Sequence, residues 1–133
     1  MSTTTTPPIS AARLWTGRIL SFLPAAMLFL DAGMKVIKHE KVMKTTAEMG
    51  FPESSIMPMG LSLLAGVLLY LIPKTAPIGA TLIAAYLGGA VCTHLVRTDP
   101  LWQILMPAVF GVVIWIGLVL RDPRLDILLP WKR

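Results

Sequence analysis

The chain has 133 residues, of which 55% are apolar and 14% charged, and its net charge is +5. This length suffices for one domain, but a soluble domain needs about 25% charged residues to cover its surface. The Lys and Arg residues stand in short clusters between apolar runs, as in membrane proteins, and form no continuous basic stripe. We therefore expect a chain embedded in a lipid bilayer and no nucleic-acid partner.

The N-terminal residues 1–12 are polar and uncharged, and we predict a disordered tail followed by a single four-transmembrane-helix domain, 13–133. The first span is predicted at 15–37. Its uncharged run, 19–30, is shorter than the about 20 residues that a helix needs to cross a bilayer, so the helix carries Asp31 to the edge of the hydrocarbon. A cleaved signal peptide is the less favoured interpretation, because the apolar pattern continues into 32–37.

A charged connector follows the first span. Val36, Met43 and Ala47 recur at helical spacing, and Glu40 and Lys44 are four residues apart. This pattern predicts a short amphipathic helix at the membrane interface, ended by the turn Gly50-Phe51-Pro52.

Three further spans are predicted at 56–72, 78–96 and 101–120, with Trp131 as an interfacial anchor behind the last of them. The span 78–96 is rich in small residues, and two pairs of them lie four residues apart, which predicts a face for close helix packing. The pairs are Ala84 with Gly88 and Ala85 with Gly89. The predicted fold class is thus all-α, an integral-membrane four-helix bundle with one interfacial helix between the first two spans.

An even number of spans places both termini on one side of the membrane. Seven Lys and Arg residues fall on that side and five on the other, which favours cytoplasmic termini. The first group is Arg13, Arg18, Lys74, Arg121, Arg124, Lys132 and Arg133, and the second is Lys35, Lys38, Lys41, Lys44 and Arg97.

The first and third spans run in the same direction, which brings Asp31 and His94 to a similar depth near the side opposite the termini. Ionisable groups in a span are costly and therefore indicate function, and an acid beside an imidazole can relay protons. The predicted polar mouth, a ligand-binding candidate, comprises Asp31, Lys35, Thr93, His94, Arg97, Asp99 and Gln103. The alternative is a structural network that fixes the helix ends, with Asp31 satisfied by Lys35 or His94. No catalytic residue follows from either interpretation.

The sequence favours no metal site and no intrinsic cofactor. Cys92 is the only cysteine, which excludes a disulfide within the chain, a Cys-x-x-Cys pair and a thiolate-rich zinc site. Cys92 and His94 are two residues apart on a helix and point in nearly opposite directions. With only His39 and His94 there is no predicted haem pair, so electrons would have to come from a partner or a diffusible carrier.

Several motifs make the chain similar to the DoxX-like family. They are Phe29-x-x-x-Gly33-x-Lys35, Gly50-Phe51-Pro52, Tyr70-Leu-Ile-Pro73-Lys-Thr75, Tyr86-Leu-Gly-Gly-Ala90-x-x-Thr93-His94-Leu95, Asp99-Pro100, Gly117-Leu-x-Leu-Arg121-Asp122-x-Arg124-Leu125 and Leu129-Pro130. The resemblance implies a four-helix bundle in the bacterial cytoplasmic membrane. The namesake of the family is a subunit of a thiosulfate:quinone oxidoreductase, and relatives are linked to thiol and oxidative-stress systems. Relatives often carry Glu early in the second span, where this chain has Leu63.

Three functions fit these observations. The first is a membrane subunit of a redox system that binds a quinone, or a similar apolar molecule, at the Asp31/His94 mouth. The second is a non-catalytic scaffold or assembly subunit that holds another membrane protein, or a second copy of the chain, by its small-residue face. The third is a small membrane enzyme or transporter for an apolar substrate.

Overall fold

The computed structural model describes residues 8–129 as five α-helices and a terminal 3₁₀ turn. In chain order these are α1 (Ala11–Val36), α2 (Glu40–Glu48), α3 (Glu53–Leu71), α4 (Ala76–Val96), α5 (Leu101–Arg121) and the 3₁₀ turn (Pro123–Leu128). The predicted all-α bundle with a short helix between the first two spans is confirmed. Most of the predicted tail 1–12 and the predicted anchor Trp131 lie outside the described residues, and α1 already begins within that tail.

Four of the helices, α1, α3, α4 and α5, are long and apolar enough to cross a membrane. On α5 the exposed side chains recur at 3.6-residue spacing, which gives one face of large apolar groups on the outside of the bundle. Leu105, Val109, Val112 and Ile116 are each between 46% and 57% exposed. So continuous an apolar surface is unfavourable in water and favourable in contact with lipid acyl chains.

The helices pack most closely near the end of the bundle that holds both chain termini. A Cβ on Gly17 of α1 would lie 2.7 Å from the backbone nitrogen of Arg121 on α5. A Cβ on Gly79 of α4 would lie 2.1 Å from the backbone nitrogen of Tyr70 on α3. Only glycine permits such approach, so these two positions fix the α1–α5 and α3–α4 contacts.

The buried core runs through the centre of the bundle. Tyr70 is fully buried, and its hydroxyl donates a 2.8 Å hydrogen bond to the carbonyl oxygen of Ile114 on α5. Around it pack Leu63, Val67 and Ile83, none of them exposed. Leu63 is therefore an apolar core position in this chain.

Within the bundle, the small-residue face predicted on α4 does not lie in close contact with another helix. Gly88 and Gly89 are exposed, and a Cβ on either would meet no atom within 4 Å. Ala85 is exposed as well, and Ala84 is half-buried. Small residues at a spacing of four show that they share a face, but they do not show that a neighbouring helix lies against it.

Candidate functional site

A cavity of about 730 Å³ lies at the end of the bundle away from the termini, between α1 and α4 and beneath α2. Its walls are mainly apolar, and they include Leu28, Met34, Val42, Met49, Phe51, Met59, Ala85 and Leu87. Polar side chains from α1, α2 and α4 interrupt this lining. An apolar cleft of this size with a few polar groups is the usual form of a small-molecule site.

The α1 wall carries a charged pair. Lys35 donates a hydrogen bond to Asp31 one turn earlier, and both side chains line the cavity. The Lys35 side chain is only 10% exposed. It is held against α3, where a Cβ on Gly60 would lie 2.7 Å from the Cβ of Lys35. The predicted pairing of Asp31 with Lys35, rather than with His94, is the one that the structure contains.

The α4 wall carries Thr93 and His94. Nδ1 of His94 lies 2.7 Å from Oδ2 of Asp99, just beyond the helix, and Arg97 Nε donates to the same oxygen at 3.2 Å. The bond with His94 and the charge of Arg97 lower the pKa of Asp99 below its ordinary value. The ionised carboxylate therefore holds the Nδ1 proton and leaves Nε2 as the ring nitrogen for a ligand.

The interfacial helix α2 covers the cavity. Val42, Thr45, Thr46 and Met49, at positions i, i+3, i+4 and i+7, line it from above. The face predicted from Met43 and Ala47 is not the one that lines the cavity. Arg97 donates a hydrogen bond to the backbone oxygen of Glu48, which joins the end of α2 to the end of α4.

The structure thus assembles part of the predicted polar mouth. Asp31, Lys35, Thr93 and His94 line the cavity, while Asp99 and Arg97 reach it through the hydrogen bonds of His94 and Asp99. Gln103 is not among the described residues that line it. Gln103 lies near the start of α5, at the same end of the bundle, but α5 contributes no described residue to this cavity.

Two polar parts of the lining were not predicted from the sequence. Tyr86 of α4 contributes a half-buried phenol, seven residues before Thr93 and therefore on the same helix face. That spacing was a usable signal. Lys41 and the polar face of α2 also line the cavity. This part of the lining could not be predicted, because which face of a short charged helix packs inward depends on tertiary contacts.

Within residues 8–129, no three His, Cys, Asp or Glu side chains come together as a possible metal site. Cys92 is exposed and does not line the cavity formed by the described residues. The polar groups that do line it are ammonium groups, a carboxylate, an imidazole and hydroxyls, which suit hydrogen bonding to an organic molecule.

Four apolar helices of spanning length and an apolar outer surface define a small multi-pass membrane protein in a lipid bilayer. A family model, that of the DoxX-like family, matches residues 19–117, which is most of the chain. The chain belongs to the DoxX-like family. Comparison with curated proteins and with solved structures gives no match.

Proposed function

We propose that this protein is a membrane subunit of a redox system and that it binds a quinone, or a similar apolar carrier, in the cavity beneath α2. The observation that carries the proposal is the apolar cleft of about 730 Å³ with Asp31, Lys35, Thr93 and His94 in its walls. The proposed setting is the bacterial inner membrane with both termini in the cytoplasm, which the excess of Lys and Arg on that side supports.

The polar residues match what a quinone requires of its site. A quinone has a flat apolar ring with carbonyl oxygens at opposite ends, and when bound it supplies the capacity for electron and proton uptake. The Lys35 ammonium has three donor hydrogens, of which Asp31 uses one. His94 is oriented by Asp99 through Nδ1, so Nε2 is available to hydrogen-bond or to move a proton.

Binding tests the proposal directly. We would titrate the purified protein in mild detergent with ubiquinone-1, a short-chain quinone, and follow binding by calorimetry. His94→Ala should weaken binding by roughly tenfold, the value of one hydrogen bond to a charged or strongly polar group. Asp31→Asn should weaken it as well, because Lys35 loses the carboxylate that holds its ammonium group in the cavity wall. If both variants bind ubiquinone-1 as tightly as the wild type, the cavity is not the quinone site.

The chain offers matched controls on α4. Thr93 and Thr81 both bond the carbonyl oxygen four residues earlier, at 2.9 Å, but only Thr93 lines the cavity. Gly89 lines the cavity, whereas its neighbour Gly88 does not. Thr93→Ala and Gly89→Leu should therefore weaken ubiquinone-1 binding, and Thr81→Ala and Gly88→Leu should not.

A scaffold function has support from a separate observation. A second cleft of about 500 Å³ lies between α4 and α5, with Gly88, Val91, Gly111 and Val112 in its apolar lining. Such a groove suits a transmembrane helix of another membrane protein. In that case Gly88→Leu should reduce the mass of the complex seen by native mass spectrometry in mild detergent, while Gly89→Leu leaves it unchanged.

A further inference from the structure

A third cavity, of about 470 Å³, lies at the opposite end of the bundle, among the start of α1, the α3–α4 turn and the end of α5. Among residues 8–129, four cations line it, Arg18, Lys74, Arg121 and Arg124, against a single carboxylate, Asp122. None of these residues takes part in the cavity beneath α2. The excess of positive charge in this third cavity therefore needs an explanation of its own.

Asp122 is already matched by one of the four cations. Nη2 and Nε of Arg124 donate to its carboxylate at 2.7 and 2.9 Å, and Nη2 also donates to the backbone oxygen of Pro73. This contact lowers the pKa of Asp122 below its ordinary value, so the pair stays charged and internally neutral. In the described part of the chain, Arg18, Lys74 and Arg121 make no ion-pair contact of their own, which leaves an excess of three positive charges.

Arg121 is held in place by two aromatic rings and a backbone carbonyl group. Its guanidinium lies over the rings of Phe22, at 5.4 Å, and Tyr70, at 4.8 Å, and Nη2 donates to the backbone oxygen of Tyr70 at 2.9 Å. Its Nε is buried and has no hydrogen-bond partner among the described residues. A buried donor without an acceptor is costly, and a rigid guanidinium fork fits a phosphate group.

The position of the cavity indicates the source of a phosphate group that would bind there. α1 begins beside it, α3 and α5 end there, and the exposed ring of Trp15 lies 5.1 Å from the guanidinium of Arg18. Tryptophan and arginine together at a helix end are typical of the headgroup level of a bilayer. Basic pockets between membrane helices at this level bind the headgroups of anionic lipids.

We propose that Arg18, Lys74 and Arg121 form a site for the phosphate headgroup of an anionic phospholipid. The apolar residues Leu14 and Leu71 at its border lie beside the acyl chains. The Arg124–Asp122 pair forms the side of the site that faces the 3₁₀ turn. The site holds one leaflet's lipid against the closely packed end of the bundle.

Native mass spectrometry of the full chain in mild detergent tests this site. We would titrate phosphatidylglycerol, phosphatidylcholine or inorganic phosphate at constant ionic strength. The variants are Arg18→Gln and Lys74→Gln, whose side chains are exposed; Arg121 is left unchanged because it also holds Tyr70. Lys44→Gln is the matched control, since it removes one exposed charge at the other end of the molecule.

The wild type should bind phosphatidylglycerol in preference to phosphatidylcholine. Arg18→Gln and Lys74→Gln should each weaken phosphatidylglycerol binding by roughly fivefold, and Lys44→Gln by less than about twofold. Equal binding of the two lipids, an equal loss in Lys44→Gln, or competition by millimolar inorganic phosphate would each overturn the proposal, the last by assigning the site to a free anion.

Discussion

Near the chain termini, Gly79 lets α4 lie against the backbone of α3, and Gly17 lets α1 lie against α5. Ten residues further along α4, a Cβ on Gly89 would meet no atom within 4 Å, and this glycine lines a cavity instead. The same residue type thus serves close packing at one end of the bundle and open space at the other. The difference lies in the partner helix, and it separates a closely packed end from the end that holds the cavity beneath α2.

The largest expected effect on stability comes from adding a side-chain atom at the closely packed end. Gly79→Ala would place a Cβ 2.1 Å from the backbone nitrogen of Tyr70, so α3 and α4 must separate. We expect a loss of about 3 kcal/mol in the free energy of unfolding, the upper range for overpacking. Unfolding by SDS titration from mixed micelles, followed by circular dichroism, measures it.

Gly88→Ala is the matched control for Gly79→Ala on the same helix. A Cβ there meets nothing within 4 Å, and alanine is favoured over glycine in a helix by up to about 1 kcal/mol. The unfolding free energy should therefore stay the same or rise. Equal destabilisation by the two substitutions would remove the distinction between the two ends.

Gly60→Ala tests how far the close helix packing extends towards the cavity beneath α2. Its Cβ would lie 2.7 Å from Cβ of Lys35 and 3.1 Å from the backbone oxygen of Ala32, so α1 must shift. We expect a loss of about 2 kcal/mol in unfolding free energy together with weaker ubiquinone-1 binding, because Lys35 moves. Gly33→Ala on the facing helix, where a Cβ meets nothing within 4 Å, should leave both quantities intact.

A smaller effect is expected where the chain leaves α4. Thr98 has φ 55°, a left-handed conformation that β-branched residues rarely adopt, and it turns the chain so that Asp99 reaches His94. Thr98→Gly should relieve this strain and raise the unfolding free energy by about 1 kcal/mol. An unchanged or lowered value in the same SDS titration would show that the turn is unstrained.

The smallest effect is confined to acid pH. The pKa of Asp99 is lower in the folded protein than its ordinary value, so the carboxylate stabilises the fold above that ordinary value and loses this contribution as the pH falls through its folded value. Unfolding of Asp99→Asn, measured from pH 7 down to pH 3, should depend less on pH at the acid end than unfolding of the wild type. Parallel profiles would exclude Asp99 as a source of that dependence.

Much of the fold could be predicted from hydropathy, because a long apolar segment in a bilayer has few alternatives to a spanning helix. The four predicted spans agree with α1, α3, α4 and α5 to within a few residues at each end. Helix direction likewise placed Asp31 and His94 at one end, and both line one cavity. The packing partners were not accessible, because Gly79 and Gly89 look alike in the sequence and differ only in what lies opposite them.

The cover of the cavity was also hidden from the sequence. Which face of α2 turns inward depends on tertiary contacts between residues far apart in the chain, such as the hydrogen bond of Arg97 to the backbone of Glu48. The period of the helix indicated two apolar positions, Met43 and Ala47, but the inward face mixes Val42 and Met49 with threonines. Only the tertiary structure distinguishes these two faces.

The nine-residue length of α2 has a consequence for how occupancy of the cavity could be observed. A helix this short is marginal in isolation, so its backbone hydrogen bonds persist only while it is docked on the rest of the molecule. A molecule that binds beneath α2 and contacts its inward face favours the docked state by thermodynamic linkage. Amide hydrogen exchange of residues 40–48 would then slow in proportion to saturation, while exchange in α3 stays constant.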